Sequence, residues 1–259
     1  MPYKYILTAV SSVGDTHQKT DEFYFADGIS SVVKDVCNTA RTRSLCKGKK
    51  HIFSVVSCHD RFNTICSYLS HSLLKRNNES ARNKVQYWAK DIANEIYTIA
   101  GKDDDARLAM LYIDGTNIYA SGFGETHIYH TSKKSSKATK VTFRLPSLSD
   151  AVIADDEGTT SDDRLVYSWS RCLGELKPGD EYLVVGSCLH ASVGDETICD
   201  ALANSHINAA TSLVDTAYTN DSSCTLTAIH ILVKKTFPVL WTILGASLFV
   251  IALALIFLL

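Results

Sequence analysis

The sequence lacks several patterns that would assign the chain to a broad class. Its eight cysteines include no C-x-x-C pair, so their spacing does not indicate a structural zinc site. Its N-terminus lacks the uninterrupted apolar region of a signal peptide, and we therefore expect reduced, mostly buried thiols in a cytosolic compartment. Neither sign of charge is in clear excess, with 26 Lys and Arg against 28 Asp and Glu. This balance gives no support for nucleic-acid binding.

The composition is instead that of a globular protein with a sizeable core. Of its 259 residues, 46% are hydrophobic and 21% are charged. No repeat or linker composition precedes Lys234, so we expect residues 1–233 to form one domain. The predicted strands come in runs and do not alternate singly with helices. This order favours an α+β fold with layered sheets over a parallel doubly wound fold.

Residues 237–259 form an uncharged run, FPVLWTILGASLFVIALALIFLL. As a helix this run would be about 34 Å long, enough for a hydrocarbon core of about 30 Å. A buried core helix would be shorter and would rarely be apolar on every face. Lys234 and Lys235 precede the run and Trp241 lies near the same end, as is typical of a membrane interface. We therefore predict a single-pass C-terminal transmembrane helix that anchors a cytosolic domain to a membrane.

The most informative stretch of the domain is residues 176–190, LKPGDEYLVVGSCLH. Pro178 and Gly179 predict a turn, because proline and glycine each suit one of its backbone angles. The apolar run at residues 182–185 is typical of a strand buried on both faces. Residues 186–188, Gly-Ser-Cys, end that strand where folds often place a site, and none of them is an acid. A helix is predicted to begin near Gly194.

The other stretches predict further strands and two helix pairs. Residues 51–57 predict a second buried strand that also ends in small residues. Asp114-Gly115 predicts a tight β-hairpin. The polar residues 27–50 have few large apolar side chains and predict a loop with at most a short element. Apolar residues every three or four positions predict helices over about 62–77, 80–100, 196–203 and 207–218, and a last strand covers 226–233.

In this order, residues 1–233 resemble the PPM-type (type 2C) metal-dependent serine/threonine protein phosphatases. Residues 14–25 are similar to the family's G-x-x-R-x-x-N-E-D opening, and residues 176–190 to its late L-K-P-G-D and S-D-G-L motifs. The other similar segments are residues 53–58, 113–129, 170–174 and 221–225. The resemblance implies a four-layer sandwich of two antiparallel β-sheets flanked by helices. In the family, aspartates at one end of the sandwich hold two Mn²⁺ or Mg²⁺ ions, and a metal-bound water attacks the phosphate.

The positions that hold the metals in the family are mostly not acidic here. The resemblance places them at Glu22, Ser57, Cys58, Ser187 and Ser222. Two adjacent dications need several carboxylates, and only Glu22 supplies one. The arginine that grips phosphate in many members falls at His17, a weaker partner that is often neutral at pH 7. The resemblance therefore implies a fold without its catalytic residues and without a metal cofactor.

Two alternatives stay open for these positions. Asp60 and Asp221, or Asp21, lie close enough in sequence to join Glu22 in binding Mn²⁺ or Mg²⁺ if the alignment shifts by a residue. The adjacent Ser-Cys pairs at 57–58 and 187–188 also suggest a thiol nucleophile. No base partner is assured, so two ordinary buried cysteines are the favoured interpretation.

Three functions are compatible with these patterns. The leading hypothesis is a membrane-anchored, catalytically inactive phosphatase-like domain, a pseudophosphatase, that binds a phosphorylated or formerly phosphorylated protein or competes with an active phosphatase. The second is an active Mn²⁺- or Mg²⁺-dependent phosphoprotein phosphatase with atypical ligands. The third is a membrane-surface scaffold whose function has no link to phosphate.

Deletion of residues 237–259 should turn a membrane-bound protein into a soluble, folded one, because this uncharged run is long enough to cross a bilayer. The measurement is fractionation of cells that express either form, followed by a high-salt wash of the membranes. The full-length chain is the control and should be released only by detergent. A truncated protein that stays with the washed membranes would show that the anchor prediction is wrong.

Overall fold

Two antiparallel sheets of six strands each form the centre of the described structure. The computed structural model describes residues 3–14, 22–31, 39–57, 62–77, 85–100, 107–124, 127–133, 135, 137–141, 168–204, 208–220 and 223–236. In order across sheet 1 the strands are β4 (Thr39–Lys47), β1 (Tyr3–Ser12), β12 (Leu226–Lys235), β11 (Glu181–Val185), β8 (His127–Thr131) and β9 (Thr139–Lys140). In order across sheet 2 they are β10 (Ser168–Glu175), β7 (Asn117–Phe123), β6 (Arg107–Asp114), β5 (Lys50–Ser57), β2 (Glu22–Ala26) and β3 (Ile29–Ser30). The described helices are α1 (Phe62–Asn77), α2 (Val85–Ala100), α3 (Ser187–Asn204) and α4 (Ala209–Asn220).

Three clusters of buried side chains separate the layers. Between the sheets, Tyr24 and Leu111 of sheet 2 share a cluster with Ile229 of sheet 1. The outer face of sheet 2 packs against apolar side chains of α1 and α2, such as Ile92. The outer face of sheet 1 packs against α3 and α4, for example through Leu213. The layers therefore run helix pair, sheet, sheet, helix pair, which confirms the predicted α+β fold with two antiparallel sheets.

β11 shows why an unbroken apolar run suits a central strand of this fold. Successive side chains of a strand point to opposite faces of its sheet. Tyr182 and Val184 lie in the cluster between the sheets, whereas Leu183 and Val185 lie in the cluster beneath α3 and α4. Both faces are buried, so the pattern does not alternate with polar residues. The prediction of a strand buried on both faces is confirmed.

Two predictions differ from the structure. Residues 39–47 form the nine-residue strand β4, where the composition predicts a loop with at most a short element. β4 pairs only with β1 at the edge of sheet 1, so most of its side chains are exposed or half-buried and need not be apolar. The prediction of a helix that begins near Gly194 is confirmed in part, because a helical segment starts after the non-helical Gly194, with φ 75°, but another segment that begins at Ser187 precedes it in α3.

The cysteine and membrane predictions meet the described structure only in part. None of the six described cysteines forms a disulfide, but only Cys46 and Cys66 are buried, so the prediction of mostly buried thiols is wrong for the described residues. No helix in the described part of the chain is long and apolar enough to span a membrane. Residues 237–259, on which the anchor prediction rests, lie outside the described residues.

Candidate functional site

One end of sheet 2 carries a polar row across three neighbouring strands. The register places Glu22, the first residue of β2, opposite Ser57, and Ser57 opposite Arg107, the first residue of β6. β11 of sheet 1 ends beside this row, and Gly186 and Ser187 follow it directly. We call these five residues the polar end of the sandwich. Glu22 is buried, whereas the side chains of Ser57, Arg107 and Ser187 are half-buried.

The two sheets approach each other so closely here that residue 186 has no room for a side chain. A Cβ atom at Gly186 would lie 1.9 Å from Oε2 of Glu22 and 2.2 Å from its carboxyl carbon. The backbone N–H of Gly186 donates to the carbonyl of Thr227 at 2.9 Å, which ties this backbone to β12. The carboxyl group of Glu22 therefore occupies the space that a side chain at residue 186 would fill.

Glu22 is a buried carboxyl group whose environment favours the neutral acid. Its side chain is only 3% exposed. Burial raises the pKa of Glu22 to about 8, although hydrogen bonds from Thr227 and from the backbone N–H of Ser187, and the charge of Arg107, all lower it. Its Oε2 atom is buried without a hydrogen-bond partner. At neutral pH the group is therefore mostly protonated, and it carries little negative charge.

Arg107 provides the positive charge of the polar end. Its charge lowers the pKa of three groups on different elements, namely Glu22, the His127 imidazole of β8 and the Cys188 thiol of α3. Because electrostatic effects weaken with distance, this pattern places the guanidinium close to the first turn of α3. The polar end therefore combines one permanent cation with a carboxyl group that is mostly neutral.

The titratable neighbours of Arg107 do not form a nucleophile and base pair. Burial is the main cause that raises the pKa of the Cys188 thiol, and Cys224 and Glu22 raise it further. Burial also lowers the pKa of His127 to about 3, assisted by His190 and Lys140, so this imidazole is neutral at physiological pH. A protonated thiol is a poor nucleophile. The favoured interpretation of Cys188 as an ordinary thiol therefore agrees with its surroundings.

A hydrogen-bonded network fastens α3 over the strands beside the polar end. Asp195, directly after the kink at Gly194, accepts hydrogen bonds from Lys140 Nζ at 3.0 Å and His190 Nε2 at 2.9 Å, and another from the hydroxyl of Tyr129. The Tyr129 bond, followed by those of Lys140 and His190, holds the pKa of Asp195 well below its usual range. The His190 ring stacks on His127 with centroids 3.6 Å apart. These contacts fix the first half of α3 against β8 and β9.

The structure brings together three of the positions that the resemblance singles out. Glu22 faces Ser57 across the β2–β5 pair, and its carboxyl group accepts a hydrogen bond from the N–H of Ser187. The other singled-out positions lie outside the described residues: His17, Asp21, Cys58, Asp60, Asp221 and Ser222. Sequence reasoning missed Arg107 and the Asp195 network, because only the strand register and the kink in α3 bring these residues to this end.

The described part of the polar end does not fit a pair of Mn²⁺ or Mg²⁺ ions. Such ions need several negatively charged oxygen ligands. Here Ser57 and Ser187 contribute neutral hydroxyl groups, and Glu22 contributes the only carboxyl group of the polar end. That group is held against Gly186 near the cation of Arg107, which would repel a metal ion. Within the described residues, the donor set is too poor in charge for the two-metal centre that the resemblance implies.

Comparison with known proteins gives matches in structure but not in sequence. No family model matches the chain, and no curated protein has significant sequence similarity to it. The catalytic domain of the serine/threonine protein phosphatase PstP, solved in complex with two manganese ions, has 14% identity and a TM-score of 0.55. That match covers 89% of this chain and 100% of the PstP chain.

Two further solved structures show the same similarity. The phosphatase domain of SpoIIE from Bacillus subtilis has 12% identity and a TM-score of 0.60, over 91% of this chain and 95% of that one. The serine/threonine phosphatase Stp1 from Staphylococcus aureus also has 12% identity and a TM-score of 0.60, over 88% and 95% of the two chains. Identities this low establish the fold alone. The chain therefore has the fold of the PPM-type serine/threonine phosphatases, as the order of its motifs predicts.

Proposed function

We propose that the chain is a membrane-anchored pseudophosphatase, which uses the PPM fold to bind a phosphorylated or formerly phosphorylated protein without hydrolysing it. The observation that carries the proposal is the presence of Ser57 and Ser187 beside Glu22, where an active member would have carboxylates. A two-metal mechanism needs those carboxylates to offset the repulsion between the cations. Without the metals, this fold keeps its scaffold but loses the activated water.

The charges at the polar end support binding of an anionic group. Arg107 is half-buried near Glu22, whose carboxyl group is mostly neutral at pH 7. A guanidinium group binds phosphate through paired, charge-assisted hydrogen bonds. The hydroxyl groups of Ser57 and Ser187 add neutral donors at the same end. A phosphorylated side chain of a partner suits this combination better than a metal ion does.

The path of β12 gives the proposed complex an orientation. Thr227 of β12 contacts Glu22 at the polar end, whereas Lys235 ends the strand at the opposite side of sheet 1. The eight residue steps between them span about 27 Å. The uncharged residues 237–259 follow that far end. If they cross a membrane, the polar end points away from its surface, where a soluble partner has access to it.

The full-length chain in detergent should not hydrolyse p-nitrophenyl phosphate or phosphopeptides in Mn²⁺ above the no-enzyme control. It should also melt at nearly the same temperature in millimolar Mn²⁺ as in EDTA, because the described residues of the polar end form no carboxylate cluster for the metal to neutralise. Replacement of Ser57, Ser187 and Ser222 together by aspartate should lower the melting temperature measured without metal. Addition of Mn²⁺ should then raise the melting temperature of this variant. EDTA-sensitive activity that disappears in Glu22→Ala would support the active phosphatase instead.

Phosphoserine peptides from a degenerate library should bind the full-length chain more tightly than the same peptides without phosphate. Loss of one charge-assisted contact costs about 1.5–3 kcal/mol, so Arg107→Gln should weaken this binding by about tenfold or more. Arg171→Gln is the matched control, because Arg171 is an exposed arginine on β10. Fluorescence anisotropy measures both affinities. Equal affinity for the two forms of the peptides, or equal losses in both variants, would contradict recognition of phosphate at the polar end.

The free energy of unfolding should fall as the pH rises from about 4.5 to about 8, because Glu22 keeps its proton in the folded state and loses it in the unfolded state. The slope from this group is about 1.4 kcal/mol per pH unit within that window and vanishes above it. Glu22→Gln should remove this part of the slope, whereas Glu196→Gln on the exposed face of α3 should keep it. Urea denaturation in EDTA at several pH values measures the difference. Identical slopes in Glu22→Gln and the unmodified chain would show that Glu22 is ionised in the folded protein.

A further inference from the structure

A second group of chemically reactive side chains lies at the opposite end of the sandwich. Asp27 follows the last residue of β2, Cys46 lies near the end of β4, and His51 lies near the start of β5. One potential ligand atom from each of these residues lies within 4.8 Å of the other two. Asp27 is five residue steps from Glu22, a distance of about 17 Å along the strand. It is therefore distinct from the polar end.

The cluster contains a buried histidine whose Nδ1 atom faces the carboxylate of Asp27. His51 is 3% exposed, and its Nδ1 atom lies 2.9 Å from Oδ2 of Asp27. Its Nε2 atom is buried and has no hydrogen-bond partner among the described residues. Nδ1 is therefore the nitrogen that can share a metal ion with Asp27, and the ion would take the place of the proton in the present hydrogen bond.

The backbone holds Asp27 in an unusual conformation above this histidine. Asp27 is the only non-glycine residue of the described chain with a positive φ, at 52°. Its N–H donates to the carbonyl of Ile52 at 2.9 Å, which fixes the turn between β2 and β3. Residues other than glycine adopt this region uncommonly, and such conformations often occur where a side chain must be aimed. The turn directs the carboxylate of Asp27 toward His51, and the Asp27 side chain is still 33% exposed to solvent.

The third member comes from the other sheet. Cys46 of β4 is only 8% exposed and pairs across the strands with Tyr5 of β1, whose ring packs edge-on against the His51 ring at 4.8 Å. Sheet 1 therefore contributes a sulfur atom, and sheet 2 contributes a nitrogen and an oxygen. This arrangement escapes a search for C-x-x-C spacing, because each ligand stands on a different element.

We infer that Asp27, Cys46 and His51 form a binding site for one zinc ion. Thiolate, imidazole and carboxylate are the three ligand types that zinc takes in proteins, whereas Mg²⁺ and Mn²⁺ prefer oxygen ligands alone. The three residues supply three of the four tetrahedral positions, and the exposed side of Asp27 lets water reach the fourth. The ligand atoms of a tetrahedral zinc site lie about 3.3–3.8 Å apart at bond lengths of 2.0–2.3 Å, so a small closure of the cluster is sufficient.

Bound zinc would join the two sheets at the end where β12 leaves the domain. Cys46 pairs with Tyr5, and Tyr5 pairs with Val233 near the end of β12. A metal ion that binds only the folded state stabilises it by mass action. The ion would thus act as a crosslink between the edge strand β4 and sheet 2. This inference does not depend on the proposed phosphate binding, which concerns the other end of the molecule.

The test uses the full-length chain in detergent after treatment with a chelator. Titration with Zn²⁺ should show one bound equivalent and raise the melting temperature, and Co²⁺ in its place should give a thiolate charge-transfer absorption band. Cys46→Ser should abolish that band and weaken zinc binding by more than about tenfold, and Asp27→Asn, at a solvent-accessible position, should weaken it without unfolding the domain. Cys172→Ser, which changes an exposed cysteine of β10, is the matched control and should keep both properties.

Three results would overturn the zinc site. They are no bound equivalent of Zn²⁺, a Co²⁺ complex without the thiolate band, or an affinity that Asp27→Asn and Cys46→Ser leave unchanged. If Cys46→Ser fails to fold, the Asp27→Asn titration and the absorption band of the unmodified chain decide the outcome. Glu22→Gln should bind zinc normally, so a failure of the phosphate-binding proposal remains distinguishable from a failure of this one.

Discussion

The close approach of the two sheets at Gly186 is the constraint on which the polar end depends. Because no Cβ atom is present there, the carboxyl group of Glu22 fits between β2 and the end of β11. Its burial favours the neutral acid, and its hydrogen bond from the Ser187 N–H ties it to the first residue of α3. The absence of a side chain at residue 186 thus affects the contact between β2 and β11, the protonation of Glu22 and the position of the start of α3.

Much of the fold could be predicted because its signals are local. The run at residues 182–185 predicts a strand buried on both faces, and its side chains divide between two clusters as expected. The turn before it is also readable, since the carboxylate of Asp180 accepts a hydrogen bond from the N–H of Lys177 at 2.9 Å. β4 could not be predicted, because an edge strand with one neighbour and much exposed surface carries no apolar pattern.

The candidate site was predictable only where a motif marks its residues. The resemblance to PPM phosphatases points to Glu22, Ser57 and Ser187, which the strand register and one hydrogen bond do bring together. Arg107 carries no such mark, because it reaches this end only through the pairing of β5 with β6. The zinc ligands present the same difficulty, since their three elements belong to two different sheets. Long-range register, which no short stretch of sequence encodes, explains both omissions.

β12 also determines how the domain would respond to mechanical load. It lies between β1 and β11, with ten paired residues on one side and five on the other. Tension on the chain beyond Lys235 pulls along the axis of this strand, so its cross-strand hydrogen bonds are loaded together in shear and do not open one after another. Forced unfolding is governed by the rate of crossing the unfolding barrier, which such parallel loading slows. A pull on the chain beyond Lys235 would therefore act on a strand that is paired on both sides.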